Sequence, residues 1–174
     1  LERLRAAGLD PVLLRMDERR KAYFPEPEYT AEERERAYAL FADEAAALAG
    51  EGRGVLLDGT ANELRFRRRA RERIPCFAEV FVDCDVDTAR KREAARPEGR
   101  IMAGLYAKAL ERRRTGKRFE GLGEVVGVDV PFEADPHAEL VLENTELTRD
   151  EALRRVTIFL DRWLARRADC GCDA

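Results

Sequence analysis

Short apolar runs alternate with longer helical segments along this chain, and that alternation limits the folds it can adopt. The runs are rich in Val and Leu and too short for helices, which is typical of buried strands. They lie at 11–15 (PVLLR), 54–58 (GVLLD), 77–84 (FAEVFVDC) and 138–142 (AELVL). Strands separated by helices predict right-handed crossovers and a parallel sheet. The predicted fold class is therefore α/β, a three-layer domain with helices on both faces of a parallel sheet.

The segments between these runs have helical patterns. The longest, 30–49, starts with Thr30 and Glu33 in the spacing of a capping box and carries an apolar stripe. Further helices are predicted at 63–73, 87–95, 103–114 and 148–167. The side chains expected to be buried in the middle of the sheet are Leu13, Leu14, Val55, Leu56, Leu57, Val80, Val82 and Val141.

The composition of the 174 residues fits one domain and says little directly about partners. The 32 Lys and Arg residues against 35 Asp and Glu residues leave a net charge of only −3, so partners cannot be read from the net charge. We expect small-molecule substrates, and neither nucleic acid nor a membrane, as partners. No apolar run approaches the roughly 18–20 residues that cross a bilayer, and no signal peptide opens the chain. We therefore expect a soluble, cytoplasmic protein. With His137 as the single histidine, a zinc site or a Ser-His-Asp triad has little to be built from.

The cysteines and the first residues give two further expectations. Cys76 and Cys84 lie in strand-like surroundings and are predicted to be reduced, buried thiols. Cys170 and Cys172 form an isolated C-x-C whose role the sequence does not explain. Residues 1–8 have the pattern of the last turns of a helix with a glycine stop, so we expect further residues before Leu1 in the intact protein.

Polar residues follow the predicted strands at the edge where parallel sheets bind ligands. Asp17 comes after the first strand beside Arg19 and Arg20, a pattern that suits Mg²⁺ binding and orientation of a substrate hydroxyl in phosphoryl transfer. An acidic helix N-cap with surface arginines is the alternative. The turn 58–65, with Asn62 and Arg65, reaches the same edge, and binding and purely structural roles are equally open for it.

The basic stretch 97–127 interrupts the strand and helix alternation. It carries Lys108, Arg112 and Arg118 between glycines, which is typical of a lid that closes over phosphates and excludes water. An ordinary solvated helix is the alternative. Arg34, near the start of the long helix, is a candidate for an anion contact or for a surface ion pair.

Taken together, these stretches resemble the adenylyl-sulfate kinases, a family of P-loop nucleotide kinases, from Leu1 to about Leu153. The most specific match is the sequence GLYAKA at 104–109, followed by GVDVPFE at 127–133 and the ELVL strand at 139–142. The family has a G-L-Y-x-K-A lid helix, a G-I/V-D-x-P-Y/F-E loop and a P-E-L-x-I/L strand in this order. The resemblance implies that an N-terminal strand and its G-x-x-x-x-G-K-S/T loop lie upstream of Leu1.

The resemblance also implies roles for individual residues. Asp17 falls on a family aspartate near Mg²⁺ and the attacking hydroxyl. The residues implied to bind the acceptor, adenylyl sulfate, are Arg20, Tyr29, Arg34, Asn62 and Arg65. Those implied to belong to the lid or to contact ATP are Arg92, Lys108, Arg112 and Arg118. Departures from the family pattern occur at Ala37, Asn62, Ala103 and Val125, mostly on the acceptor side.

The function expected from this resemblance is transfer of the ATP γ-phosphate to the 3′-hydroxyl of adenylyl sulfate in sulfate assimilation, with ATP and Mg²⁺. Two alternatives stay open: a kinase of the same fold with another small acceptor, and a non-catalytic nucleotide-binding or regulatory domain. A homodimer is compatible with each of them.

Overall fold

The computed structural model describes residues 1–95 and 104–169. Its helices and strands follow one another in the order expected for an α/β chain. They are α1 (Glu2–Ala6), β1 (Val12–Arg15), α2 (Met16–Tyr23), α3 (Ala31–Gly50), β2 (Val55–Asp58), α4 (Leu64–Arg73), β3 (Val80–Asp83), α5 (Val86–Ala94), α6 (Leu105–Thr115), β4 (Leu140–Glu143) and α7 (Arg149–Asp169). None of these helices is long and apolar enough to span a bilayer.

Side-chain caps fix the starts of the main helices. The hydroxyl of Thr30 accepts a hydrogen bond from the Glu33 amide at 3.1 Å, so the Thr30 half of the predicted capping box at α3 is confirmed. The Glu33 carboxylate accepts from the Glu28 amide and from Arg20 instead of completing the box. Thr148 and Glu151 form a reciprocal box before α7, with distances of 2.9 and 3.3 Å. Helix α2 was not predicted, because its sequence MDERRKAY has no continuous apolar stripe.

The strands are parallel but form two separate pairs. In one pair Leu14 of β1 lies opposite Leu57 of β2, and in the other Val82 of β3 lies opposite Leu142 of β4. No hydrogen-bonded ladder joins the two pairs within the described residues. A groove of about 1470 Å³ lies between them and is lined by residues of both. The prediction of parallel strands is confirmed, and within the described residues these strands form two pairs.

The largest core lies beneath the first strand pair. Leu14, Met16, Tyr38, Phe41 and Phe66 pack there, and the rings of Tyr38 and Phe66 stack with centroids 4.9 Å apart. A smaller cluster joins α6 to the loop that follows it through Ala109, Leu122 and Val125. The two clusters fix the positions of the residues at the carboxyl edge of β1 and β2.

The expected burial of the strand residues is only partly correct. Leu14 is buried, and Leu13, Val55 and Leu57 are half-buried. Leu56, Val80, Val82 and Val141 are instead 44, 36, 52 and 50% exposed. The first three of these border the open groove, where the described chain places no strand against them. Cys84 is a free thiol as expected, but it is half-buried and not buried. Cys76 is disulfide-bonded, which corrects the prediction of a reduced cysteine.

Candidate functional site

Five of the predicted residues line the groove beyond the carboxyl ends of β1 and β2. They are Asp17, Arg20, Tyr29, Arg34 and Asn62. Helix α2 starts directly after β1, with no connecting loop, so Asp17 lies in its first turn and Arg20 lies one turn later. Asp17 is exposed, and it forms no hydrogen bond or ion pair with the described side chains. Its carboxylate is therefore open to a ligand in the groove.

Arg20 is buried in an ion pair. Its Nη1 lies 2.7 Å from Oε1 of Glu33, and its guanidinium lies 5.3 Å from the centroid of the Tyr29 ring. Burial of Glu33 acts to raise its pKa, but hydrogen bonds from the Glu28 and Tyr29 amides and from Arg20 outweigh burial and lower that pKa. Glu33 therefore stays ionised and holds Arg20 in place beside Tyr29.

The Tyr38 hydroxyl lies among the charges of this site. Burial raises the pKa of Tyr38; the hydrogen bond with the Ala61 amide and the charges of Arg20 and Arg34 oppose the rise, and the charge of Asp17 adds to it. The hydroxyl accepts that amide hydrogen bond at 2.6 Å. Asp17, Arg20, Arg34 and Tyr38 all line the same groove.

Arg34 is held by the loop that follows α6. Its Nη1 lies 3.0 Å from Oε2 of Glu124, and its Nη2 donates to the Glu124 carbonyl at 3.3 Å. The same loop touches Tyr29, whose φ is +57°: a Cβ added to Gly123 would lie 2.6 Å from the Cβ of Tyr29. Only glycine allows the two backbones to approach this closely.

The turn after β2 is fixed by buried polar contacts. Asn62 donates from Nδ2 to the Pro131 carbonyl at 3.5 Å and accepts the Glu133 amide at its own carbonyl at 2.8 Å. Arg67 donates to the carbonyls of Ala61 and Glu133, and its Nε lies 2.9 Å from Oε1 of Glu79.

Arg67 lines the groove but was not predicted from the sequence, where Arg65 was the candidate on this segment. The helical spacing of the buried side chains Phe66, Arg67 and Ala70 would have placed it on the inner face of α4. Arg65 lies on the outer face, exposed and paired with Glu35 and Glu63 at 2.9 and 2.7 Å. It is not among the residues that line the groove.

The residues assigned to the lid or to ATP differ in their surroundings. Arg92 donates to the carbonyls of Asn144, Thr145 and Leu147 at 2.8, 3.1 and 3.3 Å and so fastens the turn after β4. Arg112 donates to the carbonyls of Leu122 and Gly123 and pairs with Asp129. Lys108 and Arg118 make no side-chain hydrogen bond or ion pair with the described residues. Residues 97–103 of the expected lid lie outside the described part of the chain.

Metal ligands are sparse in this site. No group of three or more His, Cys, Asp or Glu residues with the spacing of a metal centre occurs within 1–95 and 104–169. A lone exposed carboxylate nevertheless fits Mg²⁺, which usually takes one or two protein carboxylates and completes its shell with water and substrate phosphates.

The fold is α/β, and Asp17, Arg20 and Arg34 lie at the carboxyl edge of its parallel strands. This arrangement is typical of proteins that bind phosphorylated or other anionic ligands. The family model described as adenylylsulphate kinase matches residues 1–143. The chain belongs to this family.

Individual relatives agree with that assignment. An adenylyl-sulfate kinase from Paraburkholderia xenovorans is 30% identical over 159 residues, which cover 91% of this chain and 80% of that protein. One from Geotalea uraniireducens is 33% identical over 95 residues, 55% of this chain and 36% of that protein. The APS kinase of Mycobacterium tuberculosis, solved in complex with AMPPNP and APS, superposes with a TM-score of 0.70 at 23% identity over 92% of this chain and 85% of that one. The last comparison shows the shared fold.

Proposed function

We propose that this protein transfers the γ-phosphate of ATP to the 3′-hydroxyl of adenylyl sulfate, the phosphorylation step of sulfate assimilation. The observation that carries the proposal is that Asp17, Arg20 and Arg34 line one groove beyond the carboxyl ends of β1 and β2. This acceptor requires a negative group that orients its hydroxyl and positive groups that bind its anionic part. Family membership supplies the reaction class.

In this proposal each residue has a role that fits its surroundings. Asp17 orients the attacking hydroxyl and is the residue that would hold Mg²⁺, which when bound neutralises charge on the ATP phosphates. Arg20 and Arg34 contact the phosphosulfate, Tyr29 stacks on the adenine, and Asn62 shapes the turn beside them. Arg65 contributes only to the outer rim of the acceptor site.

The ATP side of the site is assigned to the second half of the chain. Arg92 and Arg112 contribute by holding, through hydrogen bonds, the loops that they contact. Lys108 and Arg118, which have no ion-pair partner among the described residues, belong to a lid that screens the charge of the phosphates. The nucleotide is then bound between elements on the two sides of the groove, in the cytoplasm.

We further propose that a strand upstream of Leu1 fills the groove between β2 and β3 and ends in the loop that holds the ATP phosphates. Within the described residues, β2 pairs only with β1 and β3 only with β4. Leu56, Val80 and Val82 expose apolar surface at the groove between them. One parallel strand there would pair with both edges, join the two pairs into one sheet and cover those side chains. The chain would then be a single kinase domain.

The strand proposal predicts a change in amide hydrogen exchange. When the protein is extended by the residues encoded upstream of Leu1, amides of β2 and β3 should exchange roughly ten times more slowly, because their free edges become hydrogen-bonded. Amides of α3, already bonded within the helix, report any gain in global stability. Equal slowing in α3, or no slowing in β2 and β3, would count against the strand.

The activity itself is tested with the same extended protein. ATP-dependent phosphorylation of adenylyl sulfate should be measurable, and adenosine, which lacks the anionic group, should be a poor acceptor. Turnover of another alcohol but not of adenylyl sulfate would favour the alternative acceptor, which is suggested by Val125, a buried aliphatic residue where the family has an aromatic one. ATP binding without turnover of any acceptor would favour the non-catalytic alternative.

A further inference from the structure

Glu124 forms an ion pair with Arg34, the arginine that is proposed above to bind the acceptor. The side chain of Arg34 is only 11% exposed, and both of its contacts to the loop are made with Glu124, through a carboxylate oxygen at 3.0 Å and the carbonyl at 3.3 Å. The Glu124 side chain is 49% exposed. An inner cation is therefore covered by an outer carboxylate that water can reach.

The loop that carries Glu124 is fixed from the other side as well. Arg112 donates to the carbonyls of Leu122 and Gly123 at 2.8 and 2.9 Å, and Asp129 accepts the Val125 amide at 2.7 Å. These contacts bracket position 124 in sequence. The carboxylate is thus presented to Arg34 by an ordered backbone and does not depend on a freely moving loop.

The two acceptor arginines differ in how readily they can exchange their partners. Glu33 is buried, so breaking the Arg20–Glu33 pair would leave an uncompensated charge in the interior. Glu124 is half exposed, so its carboxylate can return to water, and an acceptor anion that takes its place keeps the charge of Arg34 compensated. Arg34 is therefore the position at which one anion can replace another.

We propose that Glu124 is a specificity-determining residue whose carboxylate competes with the anionic group of the acceptor for Arg34. Binding of adenylyl sulfate then requires the exchange of one anion for another, and an acceptor without an anionic group gains nothing from that exchange. This inference rests on the proposed function, because it takes adenylyl sulfate as the acceptor.

The test is equilibrium binding of adenylyl sulfate to the Glu124→Gln variant, measured by titration calorimetry at low ionic strength. Glutamine keeps the size of the side chain and can still accept a hydrogen bond from Arg34, but it removes the competing charge. The dissociation constant should fall about three- to fivefold, because the ion pair no longer has to be broken; fivefold corresponds to about 1 kcal/mol. Adenosine should bind equally to both proteins.

Glu120→Gln is the matched control, because Glu120 is exposed on the same loop and has no partner among the described side chains. It removes the same charge and should change the dissociation constant less than twofold. Equal tightening in both variants would assign the effect to the general field of the protein and overturn the proposal. Unchanged or weaker binding by Glu124→Gln would also overturn it, and Glu124→Ala repeats the test if the glutamine variant unfolds.

The outcomes separate this inference from the function on which it rests. If the parent protein binds adenylyl sulfate and Glu124→Gln binds it no better, the inference fails while the acceptor assignment stands. If neither the parent nor any variant binds adenylyl sulfate, the acceptor assignment fails, and the inference fails with it.

Discussion

Asp17→Asn, in the protein extended upstream of Leu1, should lower kcat about 10²- to 10⁴-fold, the range that positioned acid-base assistance supplies. Asparagine keeps the size of the side chain and one acceptor oxygen, but it removes the charge that attracts Mg²⁺ and the hydroxyl proton. The side chain is exposed and makes no hydrogen bond or ion pair with the described residues, so its replacement removes no packing. Its position in the first turn of α2 adds only about 0.3–1 kcal/mol through the helix dipole.

Steady-state kinetics and thermal unfolding together check this expectation. Glu18→Gln is the matched control, since Glu18 lies next to Asp17 in the same turn and pairs with Arg15 on the surface. That variant should keep near-normal turnover. The catalytic assignment would fail if Asp17→Asn also kept near-normal turnover, or if its activity and its melting temperature fell together.

Arg67→Met should lower the free energy of unfolding by about 3–5 kcal/mol, since removing one partner of a buried ion pair leaves the other charge uncompensated. The side chains of Arg67 and Glu79 are 9% and 7% exposed, and Arg67 also bonds the carbonyls of Ala61 and Glu133. In a chain of this length such a loss corresponds to a fall in Tm on the order of 10 °C. Urea denaturation at neutral pH measures it.

Arg68→Met is the control for the loss of Arg67, because Arg68 is the next residue of α4 but is exposed, and its loss should change stability by less than about 0.5 kcal/mol. The double variant Arg67→Met/Glu79→Leu should recover most of the loss, since it removes both buried charges. A single variant as stable as the parent would show that the Arg67–Glu79 pair does not support the turn after β2.

The same pair predicts a pH dependence. Burial raises the pKa of Glu79, while the charge of Arg67 lowers it. A carboxyl group with a raised pKa binds its proton more readily when folded, so its contribution to stability falls as the pH rises from the ordinary carboxyl range through the raised pKa. Without Arg67 the pKa rises further. The deficit of Arg67→Met should therefore be smaller near pH 4 than at pH 7, and a deficit that is constant with pH would contradict this account.

The periodic parts of the fold could be predicted from the sequence. The apolar runs gave the four strands to within a few residues, and Thr30 with Glu33 located the start of α3. Exposure of the strand residues could not be predicted, because a Val or Leu pattern shows which side chains are apolar but not what covers them. Val82 is half exposed for that reason.

Part of the candidate site could be predicted from the ends of strands, and Arg20, Tyr29 and Arg34 could be predicted from the family resemblance. Asp17 and Asn62 follow β1 and β2, so the carboxyl-edge rule found them. The partners of the arginines are distant in sequence: Glu124 lies 90 positions from Arg34. No local pattern indicates such a pair. Arg65 and Arg67 have the same residue type and nearly the same position, and only the phase of α4 decides which of them faces the groove.

The edges of β2 and β3 that the described residues leave unpaired also bear on how copies of this protein can associate. A strand that fits the groove fits it equally well when it comes from a second molecule, because the edge amides and the apolar side chains are the same in every copy. Two copies that exchange such strands would form an interlocked dimer by domain swapping, with the same contacts as the closed monomer and no additional interface. The linker between the exchanged strand and the rest of the chain would then decide which of the two forms prevails.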